Sequence, residues 1–386
     1  MSRYDVLVVG AGPAGAWTAH RLASKGARVA ILDPSHPREK PCGGGLTARA
    51  LELVRAAVDP STLPSVQISG ARFMHGDRSA HVDLTETGTS TRPLVVSGRR
   101  TFDAALLSAA VRAGAVHLPC RATTIGRRET VWQVGTRDGS CEADWLIGAD
   151  GANSLVRRHV SRPFAREDLS IAAGYFVHGH TSTQIEIAFE DSPPGYLWSF
   201  PRPDHLAVGI CAQAHESTSA TLLAQSRTWI ERHVALDAGV VLERYGWPIP
   251  SLSERTLKAE RSAGSGWMLV GDAAGLVDPI TREGIFFALQ SADIAADALL
   301  DGRHQADTYV GRVRGEIHGE LLRAAGLKSR FFKPQFIDLL LRGLDRSGRI
   351  RSVMADLVAG RQTYAGLRRR LLGTFELRLM LELFGY

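Results

Sequence analysis

Residues 5–46 read DVLVVGAGPAGAWTAHRLASKGARVAILDPSHPREKPCGGGL, and the order of their parts decides the fold. An apolar strand, Val6 to Val9, runs into Gly10-x-Gly12-x-x-Gly15, and a helical pattern follows. A second apolar strand, Arg28 to Leu32, then ends at Asp33. This is the dinucleotide-binding fingerprint in the context it requires: strand, glycine turn, helix and strand. Gly10 permits the turn, Gly12 lets the backbone approach a pyrophosphate, and Gly15 lets the helix pack on the strand. The amino end of the helix offers free N–H groups and roughly half a positive charge. Asp33 stands where a strand-end carboxylate accepts from an adenosine ribose. Ala14 and Pro34, beside these positions, join the expected cofactor set.

The fingerprint alone leaves FAD and NAD open. Three further segments choose between them. DWLIGADGANSLVR (144–157) is a strand ending at Asp150-Gly151, with Arg157 soon after. GWMLVGDAAGLVDPITREGIFFALQSA (266–292) is a strand ending at Gly271-Asp272, then a loop with Pro279 and a helix from Gly284. Arg99-x-x-Phe102-Asp103 opens another helical stretch before both. A carboxylate at a strand end can accept from sugar hydroxyls, and a helix opening at Gly284-Ile285 can aim N–H groups at the edge of a reduced flavin. Over roughly residues 1–315 the chain resembles the glutathione-reductase-type FAD oxidoreductases of the aromatic-hydroxylase-like superfamily. That resemblance implies FAD, with Asp272 on the ribityl hydroxyls, Gly12 and Gly15 at the pyrophosphate, Arg99 near the phosphates, and Asp150 beside the cofactor cleft. Singly, each of these polar residues also reads as a cap, a turn acid or a surface arginine.

The composition is that of a globular chain. At 386 residues it can build two lobes, and 44% hydrophobic with 22% charged residues argues against disorder. No apolar run reaches the roughly 20 residues that span a bilayer, and the first strand leaves no room for a secretory signal. A cytoplasmic location is therefore expected. Cys42, Cys120, Cys141 and Cys211 are scattered, which fits reduced thiols and predicts no metal site. The net charge of +6 is carried by 41 arginines against 5 lysines, and no zinc or helix-turn-helix pattern accompanies it. No nucleic-acid partner is expected.

The organisation is interrupted. Residues 1–66, 95–160 and 262–315 read as a discontinuous Rossmann-type FAD-binding domain. Residues 67–94 and 161–261 read as an inserted substrate domain, with strand-like alternation around 165–215, a helix near 217–237 and a Pro-rich return at Trp247-Pro248-Ile249-Pro250. Residues 316–386 read as helical. The expected class is α/β (α+β overall): a Rossmann-type domain, a mostly antiparallel inserted sheet and a C-terminal helical region.

Two segments bear on the reaction. In Lys40-Pro41-Cys42-Gly43-Gly44-Gly45-Leu46, three glycines let the backbone pass close to a planar ring. In Gly195-Tyr196-Leu197-Trp198-Ser199-Phe200-Pro201, the two-residue period places Tyr196, Trp198 and Phe200 on one strand face. That face reads either as sheet core or as the wall of an elongated apolar site. PCGGGL, YLWSFP and DPITREGI together resemble the geranylgeranyl reductase family, over nearly the whole chain. The resemblance implies FADH2-dependent saturation of isolated isoprenoid double bonds, with Cys42 near the flavin and Tyr196 and Trp198 lining the substrate tunnel. Cys42, Gly44 and Gly45 join the cofactor set, and Cys42, Tyr196 and Trp198 form the expected catalytic set. Cys42 modulates the flavin or a proton transfer, or is an inert thiol; Tyr196 is a candidate proton relay.

The chain departs from that family at Arg282, where a glycine is usual, and at Arg202, where lysine commonly follows FP. Arg282 reads as a partner for reduced flavin, a clamp for an acidic substrate headgroup, or a solvent-facing side chain. No second dinucleotide unit is present, so an external donor is expected: a ferredoxin, a separate reductase or transient NAD(P)H. Arg368, Arg369 and Arg370 beside the apolar C-terminal stretch read as a peripheral membrane contact or as a helix packed on the core. The rival enzyme class is an FAD-dependent monooxygenase or halogenase acting on an aromatic or polyketide-type substrate, with Lys40 as the candidate halogenase lysine. A non-catalytic electron-transfer flavoprotein is the remaining alternative.

Overall fold

The computed structural model describes residues 2–85, 94–236 and 239–373. The fingerprint forms as read. Ser2–Val9 is a strand whose last four residues are buried, and Val29–Leu32 beside it is buried throughout. Strands covered on both faces are continuous apolar runs, and these two pair in parallel. Between them lies the helix Pro13–Ala23, with proline at its first turn. Gly15 is required by packing, since a Cβ there would meet the Gly10 carbonyl oxygen at 1.9 Å. Gly10 has φ +104° and no room for a side chain against Ala149.

The first sheet grows outward from this unit. Gly139–Gly148 pairs in parallel with Ser2–Val9, and Trp267–Leu269 with Gly139–Gly148. Val116–Leu118 completes the opposite edge. The helices Pro13–Ala23, Arg99–Arg112 and Ile285–Asp301 pack together on this sheet.

The second sheet has seven strands in the order Leu242–Pro250, Leu169–His178, His205–Gln213, Pro194–Pro201, Gln184–Asp191, Gly70–His75, Arg78–Asp83. All neighbours are antiparallel except Gln184–Asp191 with Gly70–His75. The helix expected near 217–237 is Ser219–His233. The Pro-rich return is different from its reading: Trp247–Pro250 is the end of an edge strand paired with Leu169–His178. Its prolines are tolerated because an edge strand leaves one side of its backbone unpaired. A three-stranded sheet of Gly45–Leu46, Val95–Ser97 and Ser65–Gln67 anchors the glycine loop.

The helices Gly319–Phe331, Pro334–Arg346, Gly348–Val358 and Tyr364–Leu372 close the chain. Phe336, Ile337, Leu340 and Leu344 share a core with Phe73, Ile185 and Phe189 of the second sheet. In Tyr364–Leu372, Tyr364, Leu367 and Leu371 are buried and Arg370 is tied to Asp356 and Gln362. That segment packs on the core, while the apolar stretch from 374 lies outside the described residues. No described helix is long and apolar enough to cross a membrane.

Candidate active site

A cavity of about 270 Å³ opens between the two sheets and the C-terminal helices. One end is lined by Gly12, Ala14, Lys40, Cys42, Gly44, Gly45, Arg99, Gly151, Asp272, Gly284 and Ile285. The other is apolar, walled by Phe73, Ile185, Ile187, Phe189, Phe331, Met354, Leu357 and Val358. Tyr196, Trp198 and Phe200 stand along it, so the aromatic face of Pro194–Pro201 is cavity wall.

The glycine-rich end fits FAD. Both Pro13–Ala23 and Ile285–Asp301 begin at glycines, Gly12 and Gly284, with no side chain capping them. Both caps face the same cavity, so two sets of backbone N–H donors are available for anionic groups. A Cβ at Gly12 would meet nothing nearer than the His36 ring at 3.7 Å, which leaves the approach clear. Asp272 adds a carboxylate to this wall, with the Lys40 ammonium 3.3 Å away.

Several expected residues are placed otherwise. The Asp33 carboxylate does not line the cavity; it accepts from Ala11 N–H, Ser35 N–H and Oγ, and the backbone and ring of His36. Burial alone would raise this carboxyl, but the bond and charge of His36 and the backbone donors hold it well below the usual range. The sequence could not show that the loop after Asp33 turns back on it and uses those lone pairs. Asp150 also faces inward. It accepts from Ser154 Oγ at 2.5 Å and Leu155 N at 2.6 Å, capping a short helix, while Gly151 next to it reaches the cavity. Pro279 turns its carbonyl to Arg282, Gly10 and Gly271 shape turns behind the wall, Gly15 packs its helix against Gly10, and Pro34 is exposed at the surface.

Arg99 reaches the cavity but is held by Asp103 through Nε–Oδ1 (2.9 Å) and Nη2–Oδ2 (2.8 Å). His36 links this pair to Asp33: its ring lies 2.8 Å from Asp33 Oδ2 and 3.3 Å from Asp103 Oδ2. Burial opposes the imidazolium, yet the two carboxylates raise its pKa above the ordinary value. No spacing rule announces this four-residue bridge.

The PCGGGL loop is set by a residue far away in sequence. Arg202, fully buried, donates to the Cys42 carbonyl at 2.7 Å and pairs with Glu39 at 2.5 Å. Glu39 also accepts from the N–H groups of Arg99 and Arg100 at 2.9 and 3.1 Å. The glycines answer to packing here. A Cβ at Gly43 would lie 2.7 Å from the Phe200 ring, so the loop passes close to this aromatic side chain. Gly44 has φ +77° and would strike the Ser97 carbonyl. Cys42 lines the cavity, with its Sγ accepting from Gly44 N at 3.3 Å.

Tyr196 stacks on Phe332 at 6.4 Å and donates its hydroxyl to the Thr281 carbonyl at 2.7 Å. Burial, and then Cys211 opposite it, raise its pKa well above the ordinary phenol value, so it keeps its proton. Glu283, not singled out by the sequence, is on the same wall, held by Arg49 and by Thr47 at 3.1 Å. Burial pushes its carboxyl up despite Arg49.

Residues 3–301 match the FAD-binding domain family. A digeranylgeranylglycerophospholipid reductase of Methanothrix thermoacetophila is 32% identical over 360 residues, 87% of this chain and 90% of its own. The chain belongs to the geranylgeranyl reductase family. Members of that family are FAD-dependent oxidoreductases, and so is this protein. A geranylgeranyl diphosphate reductase of Rhodobacter capsulatus is 31% identical over 312 residues, 77% of this family member and 75% of its own length. In fold, the reductase-family chain matches a geranylgeranyl bacteriochlorophyll reductase-like protein of Thermoplasma acidophilum with a TM-score of 0.78 at 23% identity, covering 97% and 100% of the two chains. A flavin-dependent brominase has the same fold, with a TM-score of 0.71 at 18% identity over 98% and 100%.

Proposed function

We propose that this oxidoreductase saturates isolated carbon–carbon double bonds of an isoprenoid lipid. The observation that carries the reading is one cavity that is lined both by two uncapped helix ends and by a continuous set of apolar side chains. Gly12 and Ala14 would hold the FAD pyrophosphate, Asp272 the ribityl hydroxyls, and the Gly284–Ile285 end the flavin edge that becomes anionic on reduction. When bound and reduced, FAD supplies a hydride equivalent to one alkene carbon. The other carbon needs a proton in a site closed to water. Tyr196 and Glu283 are the wall groups whose surroundings favour the protonated form. Phe73, Ile185, Ile187 and Phe331 offer the tail an apolar surface without polar competitors. Cys42 lines the glycine-rich end, on the loop clamped by Arg202. The relatives' names, which specify geranylgeranyl diphosphate and digeranylgeranylglycerophospholipid, support the substrate class.

The electron donor is external in this reading. Lys40, the one lysine on the cavity wall among the described residues, is engaged by Asp272 rather than free beside the apolar side chains, which favours reduction over halogenation. The test is an anaerobic stopped-flow trace of the chemically reduced holoenzyme mixed with geranylgeranyl lipids. Flavin reoxidation with a saturated product supports the reading. A flavin that stays reduced until oxygen arrives, and then oxygenates or halogenates an aromatic substrate, refutes it.

A further inference from the structure

Arg282 adopts φ +60°, a left-handed conformation that glycine holds without cost and a residue with a Cβ does not. Its side chain lies on the cavity wall, where Nη1 donates to Ser251 Oγ and to the Pro279 carbonyl, each at 2.5 Å. Lys328, from the helix Gly319–Phe331, donates Nζ to the same Ser251 Oγ at 2.8 Å. Ser251 is buried. Two cations from separate elements therefore share one hydroxyl, and neither forms an ion pair among the described residues. The Nε of Arg282 is buried with no hydrogen-bond partner.

Such an arrangement is unfavourable as it stands. Like charges repel across a poorly solvated gap, and the Arg282 Nε–H has lost water without replacement. Burial, and then the charge of Arg282, push the Lys328 ammonium down to about 7. An oxyanion between the two side chains removes both costs, because a phosphate oxygen accepts from guanidinium and ammonium alike. We propose that Arg282, Lys328 and Ser251 form an oxyanion subsite that takes the phosphate-type headgroup of the substrate.

The position beside the cavity, whose wall includes Arg282, argues for a headgroup. Arg282 follows Thr281, whose carbonyl holds the Tyr196 hydroxyl, and Lys328 is one helical turn from Phe331 of the apolar tunnel. An anion held here continues directly into apolar surface, which matches a charged head on a polyprenyl tail. The identity of the tail rests on the reading given under Proposed function; the oxyanion site does not. Anchored there, the head would fix how far the chain slides along the tunnel, and so which double bonds meet the reductant.

The test is binding to the oxidised FAD-loaded protein, which needs no turnover. Calorimetry with farnesyl diphosphate, farnesol and inorganic pyrophosphate would compare the natural chain with Arg282→Gly and Lys328→Met. Glycine suits φ +60°, so Arg282→Gly keeps the backbone. The expected result is at least a tenfold preference of the natural chain for the diphosphate over the alcohol. Both variants should lose that preference while binding farnesol and FAD as before. Equal diphosphate affinity in the natural chain and Arg282→Gly would overturn the subsite. Pyrophosphate that binds unhindered beside saturating farnesyl diphosphate would overturn the headgroup assignment in favour of a free phosphate. A retained diphosphate preference in a protein that fails to reduce alkenes would refute the reaction and leave the subsite standing.

Discussion

Replacing Arg202 by methionine should unlock the loop that carries Cys42. The side chain is fully buried, and its partner Glu39 is 18% exposed. Methionine fills much of the volume, so the loss is mainly electrostatic. Glu39 keeps the two backbone donors of Arg99 and Arg100, which places the cost of its stranded charge at the low end for a broken buried pair, about 3 kcal/mol. The orphaned Cys42 carbonyl adds about 1 kcal/mol. A loss of about 4 kcal/mol is a large share of typical stability and lowers Tm by on the order of 10 °C. Glu39→Gln alone leaves the guanidinium uncompensated and should cost a similar amount. Combining the two should recover about half of the summed loss, because no buried charge is then left alone. Arg202→Lys keeps the charge and should lose less than Arg202→Met. Thermal and urea unfolding of the FAD-loaded proteins gives all four values, and turnover measured below the transition reports the loop. A Tm for Arg202→Met within about 2 °C of the natural chain, or strictly additive losses in the double variant, would show that the clamp does not hold the loop.

Gly15→Ala places a Cβ 1.9 Å from the Gly10 carbonyl oxygen, so the purified protein should lack the visible absorbance of bound flavin; normal FAD occupancy would refute the packing argument. Cys42→Ala should retain FAD and change turnover or the degree of saturation, and unchanged rate and product would make Cys42 inert. The raised pKa of His36 between Asp33 and Asp103 means that its stabilisation is complete below the ordinary value of about 6.5 and is lost as pH rises through the folded value. His36→Gln should therefore flatten the fall of the urea midpoint above neutral pH, and an unaltered slope would exclude the bridge as its source. Lys328 is charged below about 7, facing Arg282, Glu216, Cys211 and Asp168. Preference for the diphosphate lipid should accordingly weaken as pH rises through and above that value, and calorimetry across this range giving a flat profile would refute it.

Local sequence carried the dinucleotide fold because its requirements are local. Gly10, Gly12 and Gly15 act within one turn, and apolar runs such as Val6–Val9 announce parallel strands buried on both faces. The aromatic wall was legible for the same reason, since a two-residue period puts Tyr196, Trp198 and Phe200 on one side of any strand. Which side faces the cavity depends on the C-terminal helices that cover it, and no period records that choice.

Local residue patterns were enough for a Rossmann-type FAD fold, for the strand and helix types around it, and for the family to which the chain belongs. Folding in three dimensions was needed to reveal that Asp33 and Asp150 turn inward, that Arg202 holds the loop of Cys42, and that Arg282 and Lys328 meet over Ser251. For Arg202, Arg282 and Lys328 the reason is distance along the chain, whereas for Asp33 and Asp150 it is the turn after each, which supplies donors that no spacing rule announces. Backbone conformation and hydrophobic periodicity are encoded within a few residues, whereas the buried cations Arg202 and Lys328 are defined by partners that folding brings from 160 and 77 positions away.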